Sequence, residues 1–456
     1  MNRAPNFTSG LLTDLYQFTM VQGYLECGLT DTAVFELSVR NLPRERNFLL
    51  AAGLEQLVEF FEQASFSPGE IGWLARQGFG RKLLDYLSSF RFTGQVHAMP
   101  EGTVFFAGEP ILRVTAPLAE AQLLETRAIN ILHFQTLIAS KAIRCVLAAP
   151  GKQLVDFGLR RAHGAEAGLM AARASYLAGF AGTSTVLAGQ LWNVPVFGTM
   201  AHSFVEAHDD ELVAFEHFAQ ANPRDVTLIL DSYDTQAAAR KVVVLADRLS
   251  LRGISVSGVR IDSGDLAAHA RGVRQILDRA GLQQVRILAS GGLDEHHLAR
   301  LVAARAPIDG FGVGTRLDVS ADAPYLDGAY KLVEYAGRPR RKHSEGKATW
   351  PGRKQVVRHH GPDGLMAHDR VALEDESQPT GQQLLVEVMR EGRRTADESL
   401  AQIRQRVHDQ IEQLPESWKS LAPAAAYPVE RSSELIQLGE RWDQEHRPGG
   451  AAPPWP

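Results

Sequence analysis

The chain has 456 residues, 45% of them hydrophobic and 22% charged, with a formal net charge of −5. This apolar share excludes a wholly disordered chain, and the mildly acidic balance argues against a nucleic-acid binder, which needs a basic stripe to neutralise phosphates. Two cysteines, Cys27 and Cys145, are too few for a structural zinc site or a disulfide framework. A reduced, cytoplasmic protein is expected. The N-terminal stretch has no continuous apolar run, because Asp14 interrupts it, and no window of about 20 apolar residues is expected to cross a membrane.

In chain order, Leu11 to Leu25 carries apolar residues at helical spacing, with Thr13 and Asp14 as possible caps. Ala33 to Val39 reads as a strand and Leu54 to Glu62 as a helix. The runs QVHAM, TVFF and ILRV read as short strands punctuated by Pro100, Gly102, Gly108 and Pro110. A long helix is expected from Leu118 to Ala149, ended by Pro150-Gly151. Between about 152 and 320, six short apolar runs (QLVDFGLRR, VPVFGTMAHS, VTLILDSYD, SVSGVRIDSGD, VRILASGG and IDGFGVGT) alternate with helical segments. The helical segments are Ala165 to Ala178, Thr183 to Leu191, Thr235 to Leu249, Leu266 to Ala280 and Glu295 to Ala304. Strands alternating with helices imply βα units and a parallel sheet. No GxGxxG follows the first strand, and each run ends in polar or phosphate-friendly residues. An irregular, incomplete (β/α) barrel is therefore favoured over a doubly wound sheet. Strands and turns return after Pro324, with a strand at Leu384 to Met389 and a helix at Ala396 to Gln413. The expected organisation is an N-terminal α/β domain (1–150), a barrel (151–323), a C-terminal region packing back on the N-terminal domain (324–442), and a disordered tail (443–456) rich in Pro, Gly and Ala.

Several strand ends carry chemistry. Gly291-Gly292, and then Gly312, Gly314 and Thr315, lie where backbone can approach an anion closely, the usual barrel phosphate site. Tight turns are the bland alternative. Arg260 and Asp262 share one face of a strand and could hold an anion, a ribose hydroxyl or Mg²⁺. Alternatively Ser263 or Asp265 simply caps a helix, and Asp231 and Asp234 pose the same question. His202, after VPVFGTM, could be a base, a nucleophile or a phosphate carrier, though a hydrogen-bonded structural histidine is the commoner case. Arg160-Arg161 could clamp a phosphate or a carboxylate, or form surface salt bridges. His296-His297 and His359-His360 read as solvated surface.

Taken in order, LLTDLYQFTM, DFGLRRAHG, AGTSTV, GTMAHSF, GVRIDSGDL, ASGGLDE, GVGTRL and the later KLVEYAGRPRRKHSEGKATWPGRKQV resemble nicotinate phosphoribosyltransferases from about Leu11 to Arg358. The resemblance implies a type II phosphoribosyltransferase fold, an irregular α/β barrel with an N-terminal α/β domain, and active sites shared across a homodimer. It implies that nicotinate and 5-phosphoribosyl 1-diphosphate give nicotinate mononucleotide and diphosphate in NAD biosynthesis, coupled to ATP hydrolysis, with Mg²⁺ carried by the substrate. By the same resemblance His202 stands at the phosphorylated histidine. Tyr16, reaching in from the neighbouring subunit, and Phe157 stand where the pyridine ring is sandwiched. Thr199 and Arg260 match substrate contacts, and Arg160, Asp262, Gly291, Gly292 and Thr315 match positions around the phosphoribosyl group, with Gly314 beside them. Ser184 stands where the related nicotinamide phosphoribosyltransferase carries an aspartate. No zinc, nucleic acid or membrane partner is expected. A different sugar-phosphate barrel enzyme would leave His202 and Tyr16 without a role, and a non-catalytic relative would be expected to have lost Arg260, Asp262 or His202.

Overall fold

The computed structural model describes residues 9–344, 347–377 and 380–446. They fall into two compact units, one being Ile138–Pro324 and the other drawn from both ends of the chain, Met1–Leu137 with Tyr325–Pro456.

The Ile138–Pro324 unit is α/β. Six parallel strands lie in the order Gly182–Thr183, Gln153–Asp156, Gly310–Val313, Arg286–Ala289, Val256–Ile261, Val226–Ile229. The sheet curls into a half-barrel. Val226–Ile229 and Gly310–Val313 are buried along their whole length, which is why they read as unbroken apolar runs. The helices Ala165–Leu177, Thr235–Ser250, Leu266–Arg279 and Glu295–Ala303 fall between them. Three of these begin on an aspartate that follows a strand. Asp234 accepts from the Ala237 N–H, Asp265 from Ala268 and Asp294 from His297, at 2.6, 3.0 and 2.9 Å.

One expected strand is displaced. VPVFGTMAHS contributes only an isolated bridge from Val196 to Thr183. The strand is Gly182–Thr183, and the helix expected to start at Thr183 in fact begins at Val186. The two segments approach so closely that a Cβ on Gly182 would lie 2.1 Å from the Pro195 carbonyl oxygen. Pro195 itself has no N–H to offer a ladder. Two helices that the sequence reading missed, His202–Glu206 and Glu211–Ala221, follow.

In the other unit an antiparallel seven-stranded sheet runs Arg338–Pro339, Gly328–Tyr335, Thr32–Val39, Pro110–Pro117, Gln95–Ala98, Val386–Arg390, Arg393–Arg394. Late strands therefore pair directly with early ones. A four-stranded sheet holds Lys354–His360 and Met366–Leu373, where the buried Arg358 meets Asp369 and Tyr427 donates to the same carboxylate at 3.1 Å. The helix expected from Leu118 to Ala149 breaks at Leu124 into Leu118–Leu123 and Glu125–Ala148. The second piece corrects the expectation that no stretch is long and apolar enough to cross a membrane. Its 24 residues include one, but 72% of that stretch is buried inside the protein, as in a core helix. Helix Ser433–Glu445 carries the chain into the segment expected to be disordered, and the rest of that expectation, 447–456, lies outside the described residues.

Candidate active site

Arg260, next to last in its strand, is the hub of a polar cluster at the carboxyl ends of the parallel strands. Its Nε donates to Ser290 Oγ at 2.8 Å, Nη1 to Thr199 Oγ1 at 3.1 Å and Nη2 to Asp262 Oδ1 at 2.7 Å. The guanidinium carbon sits 5.6 Å from the centre of the Phe157 ring, within cation–π range. Three strand ends, its own among them, and the Thr199 loop thus hold one planar cation. The Ser290 hydroxyl also donates to Asp262 Oδ1. Burial alone would raise the Asp262 carboxyl, but the Ser290 hydroxyl and the Arg260 charge outweigh it and hold the group below the ordinary carboxylate range.

His202 opens its short helix with Nδ1 3.1 Å from Ser232 Oγ and Nε2 3.9 Å from Asp262 Oδ2. It is half-buried and joins the same cluster. Asp231 accepts from the Asp262 N–H at 3.1 Å and from the Ser263 hydroxyl through Oδ2, while its Oδ1 is buried without a donor among the described residues. The ambiguity over the two aspartate pairs therefore resolves by position. Asp234 and Asp265 are helix caps, and Asp231 and Asp262 face the cluster.

The glycines are explained by close approach. Gly291 has φ +96°, and a Cβ there would lie 2.0 Å from the Asp262 carbonyl oxygen. A Cβ on Gly312 would strike the Phe157 ring at 2.3 Å. The N–H groups of Gly291 and Gly292 meet no acceptor among the described residues, and both glycines are exposed. The following helix N-terminus is a weaker anion site than the sequence suggested, because Asp294 caps it and also binds Arg316. Gly314 precedes the four-residue helix Thr315–Asp318, and Thr315 is half-buried with Arg161 Nη1 3.5 Å from its hydroxyl.

Phe157, Thr199, His202, Arg260 and Asp262 are thus brought together around Arg260, and Gly291 touches the Asp262 backbone. Together with Phe197 and Gly312, Phe157, Thr199, Arg260 and Ser290 line a small cavity of about 30 Å³. Arg160 lies in the turn Leu159–Arg161, exposed, with no hydrogen bond or ion pair among the described residues. Ser184 is half-buried. Its N–H donates to the Asp156 carbonyl at 2.8 Å, and its hydroxyl has no partner among the described residues. It is not a helix cap, since Thr185 holds that position. Tyr16 belongs to the other unit, on helix Leu15–Cys27, 45% exposed, and is not part of this cluster. Ser290 and Ser232 are members that the sequence reading did not single out, and Asp231 stood there only as one half of an undecided pair. Ser290 stood inside ASGG, where only the glycines were read.

Comparison with known proteins adds an independent line. The nicotinate phosphoribosyltransferase (NAPRTase) family matches residues 152–338, and the N-terminal and C-terminal domains of the same enzyme match residues 11–133 and 380–439. Nicotinate phosphoribosyltransferase pncB2 of Mycobacterium tuberculosis is 48% identical over 430 residues, covering 93% of this chain and 92% of the relative. Among solved structures, human nicotinic acid phosphoribosyltransferase superposes with a TM-score of 0.86 at 31% identity, covering 94% of this chain and 99% of that one. A nicotinate-nucleotide pyrophosphorylase from Pyrococcus furiosus superposes with a TM-score of 0.72 at 26% identity, covering 91% of this chain and 99% of the other.

Proposed function

The chain belongs to the nicotinate phosphoribosyltransferase family, and on that premise we propose that it joins nicotinate to 5-phosphoribosyl 1-diphosphate at the Arg260 cluster, with ATP hydrolysis coupled to the transfer. The pyridine nitrogen attacks the anomeric carbon, forming the N–C bond. The C–O bond to diphosphate breaks, and its electron pair leaves with the diphosphate. Such a step passes through an oxocarbenium-like state, as in glycosyl transfer. The nucleophile belongs to the substrate, so the protein has to orient two anions, stabilise the leaving group and exclude water.

The observation that carries this reading is the bracing of Arg260 by three oxygen partners beside the Phe157 ring. A cation so fixed is pre-organised for an anionic ligand and loses little freedom on binding it. Phe157 offers a face for the pyridine ring. The exposed N–H groups of Gly291 and Gly292, with Thr315 and the unpaired Arg160, suit the ribose phosphate. Asp231 and Asp262 present the oxygen donors that Mg²⁺ prefers, Asp231 Oδ1 being without a donor of its own, so a Mg²⁺ carried with the diphosphate fits there. His202 is the residue we assign to phosphorylation by ATP. A homodimer sharing its sites, with the partner copy supplying Tyr16, is supported by an exposed apolar stripe at Val186, Leu187, Leu191 and Val196, which are 72, 47, 53 and 46% exposed. The test is to incubate the purified protein with nicotinate, phosphoribosyl diphosphate, ATP and Mg²⁺ and to weigh the products by mass spectrometry. Equimolar nicotinate mononucleotide and diphosphate support the reading, and unchanged substrates refute it.

Specificity for nicotinate over nicotinamide is assigned in part to Ser184. Its unpartnered hydroxyl can donate to a substrate carboxylate. A carboxylate in its place would repel that group by roughly 4 kcal/mol at about 4 Å and an effective dielectric of about 20. Ser184→Asp is expected to lower kcat/KM for nicotinate at least tenfold, about 1.4 kcal/mol, and to narrow the gap to nicotinamide. Paired kinetics with the two bases check it. An unchanged ratio would place specificity elsewhere.

A further inference from the structure

Beneath the turn that carries Phe157 lies a pair of acids with no part in the chemistry above. Asp156 ends the strand Gln153–Asp156 and is fully buried. Its Oδ1 accepts the Gly158 N–H at 2.8 Å and its Oδ2 the Thr183 hydroxyl at 2.7 Å, so one carboxylate ties two strand ends together. Its carbonyl accepts the Ser184 N–H. Asp318, last in the helix Thr315–Asp318, is 1% exposed, and neither of its oxygens meets a donor among the described residues. It presses on the same turn, since a Cβ on Gly158 would lie 2.1 Å from Asp318 Cγ. Gly158 has φ −96°, a value open to any residue, so glycine is needed there to admit Asp318 and not to satisfy the backbone.

An ionised carboxylate without a donor is costly in so dry a place, and a bound proton removes that cost. Burial first, and then the charge and hydrogen bonding of Asp156, push the Asp318 carboxyl up to about 10, so it is protonated at neutral pH. Burial raises Asp156 as well, but the Thr183 hydroxyl and the Gly158 N–H work against it, which makes Asp156 the acceptor of the pair.

We propose that Asp156 and Asp318 share a proton and act together as positioning residues, fixing the Phe157–Arg161 turn and the Ser184 backbone that present the pyridine side of the site. The inference rests on the reading of Phe157 and Ser184 as the nicotinate side. A neutral Asp318 supplies the third donor to Asp156, beside Gly158 and Thr183. Asp156 then accepts three hydrogen bonds from within the protein, two of which hold the strand ends. Removing that donor loosens the turn without touching the phosphate-side glycines.

Two measurements test this. The elements packed most closely on the Thr315–Asp318 helix are the Leu159–Arg161 turn and the helix Ala165–Leu177, whose charged side chains are Arg160, Arg161, Glu166 and Arg173, and Asp294 reaches the same helix through Arg316. Of these and Asp156, only Asp156 perturbs the Asp318 carboxyl. Unfolded, Asp318 ionises near pH 4, whereas folded it keeps its proton to about 10. Its stabilising contribution is therefore full below about pH 4 and declines as the pH rises towards about 10. Asp318→Asn keeps a donor and has nothing to ionise, so its Tm should fall several degrees less than that of wild type between about pH 6 and about pH 9. In kinetics, Asp318→Ala should raise KM for nicotinate about tenfold and KM for phosphoribosyl diphosphate less than about threefold, and Asp318→Asn should restore both to within about threefold of wild type. Parallel Tm curves for wild type and Asp318→Asn, or an asparagine variant as impaired as the alanine one, would overturn the inference. A wild-type protein without transferase activity would instead sink the proposed function, and the Tm comparison would still decide the acid pair. The same comparison decides if Asp318→Ala does not fold.

Discussion

Arg260→Ala is expected to lower kcat/KM for nicotinate mononucleotide formation at least thirtyfold, about 2 kcal/mol of transition-state stabilisation. The side chain donates to Ser290, Thr199 and Asp262, so its removal both deletes the cation and releases three oxygens that it had aligned. Asp262 responds in a way that can be read separately. Its carboxyl is held low by the Ser290 hydroxyl and the Arg260 charge against the opposing effect of burial. Without Arg260 its pKa rises, and the acid limb of the pH–rate profile should move to higher pH. Arg260→Lys keeps the charge but not the planar fork, and should fall between wild type and alanine, with a smaller shift of the acid limb. Near wild-type efficiency in Arg260→Ala, or an unmoved acid limb, would remove Arg260 from the centre of the site.

The second large effect falls on His202. His202→Ala should lose at least tenfold of the ATP-stimulated rate and all substrate-dependent stimulation of ATP hydrolysis, while slow ATP-independent transfer persists. The imidazole is placed between Ser232 and Asp262, and the Arg260 guanidinium paired with Asp262 offsets the repulsion between that carboxylate and a phosphate on the ring. A covalent phosphate there can favour a state with higher affinity for phosphoribosyl diphosphate, which is what coupling requires. Peptide mapping of acid-labile phosphate during turnover checks the assignment. Phosphate on another peptide, or undiminished ATP stimulation in the variant, would count against it.

Much of this site was legible in the sequence because its residues cluster at strand ends, where a βα unit concentrates function. The runs holding Asp156, Arg260, Gly291 and Gly312 are continuous apolar stretches ending in small or polar residues, and the structure forms strands at each of them. What failed has identifiable causes. Gly182–Thr183 is too short to show a period, and its strand character depends on its close approach to Pro195. Ser290 is a common residue whose importance comes only from its reach to both Arg260 and Asp262. Asp318 pairs with Asp156 from far along the chain, and its sequence neighbourhood resembles an ordinary helix end. The choice between cap and ligand for each aspartate pair was open in the sequence, since either oxygen-bearing residue can cap. Only the hydrogen bonds to Ala237 and Ala268 separate Asp234 and Asp265 from Asp231 and Asp262.

The most direct test of a nicotinate site at the Arg260 cluster is a crystal structure of the protein with nicotinate mononucleotide bound. The pyridine ring is expected against Phe157 with its carboxylate near Ser184, the phosphate on the N–H groups of Gly291 and Gly292 beside Thr315, and the ribose between Asp262 and Arg260. A mononucleotide bound away from Arg260, or with its phosphate and pyridine ends exchanged between Phe157 and the Gly291 turn, would contradict it.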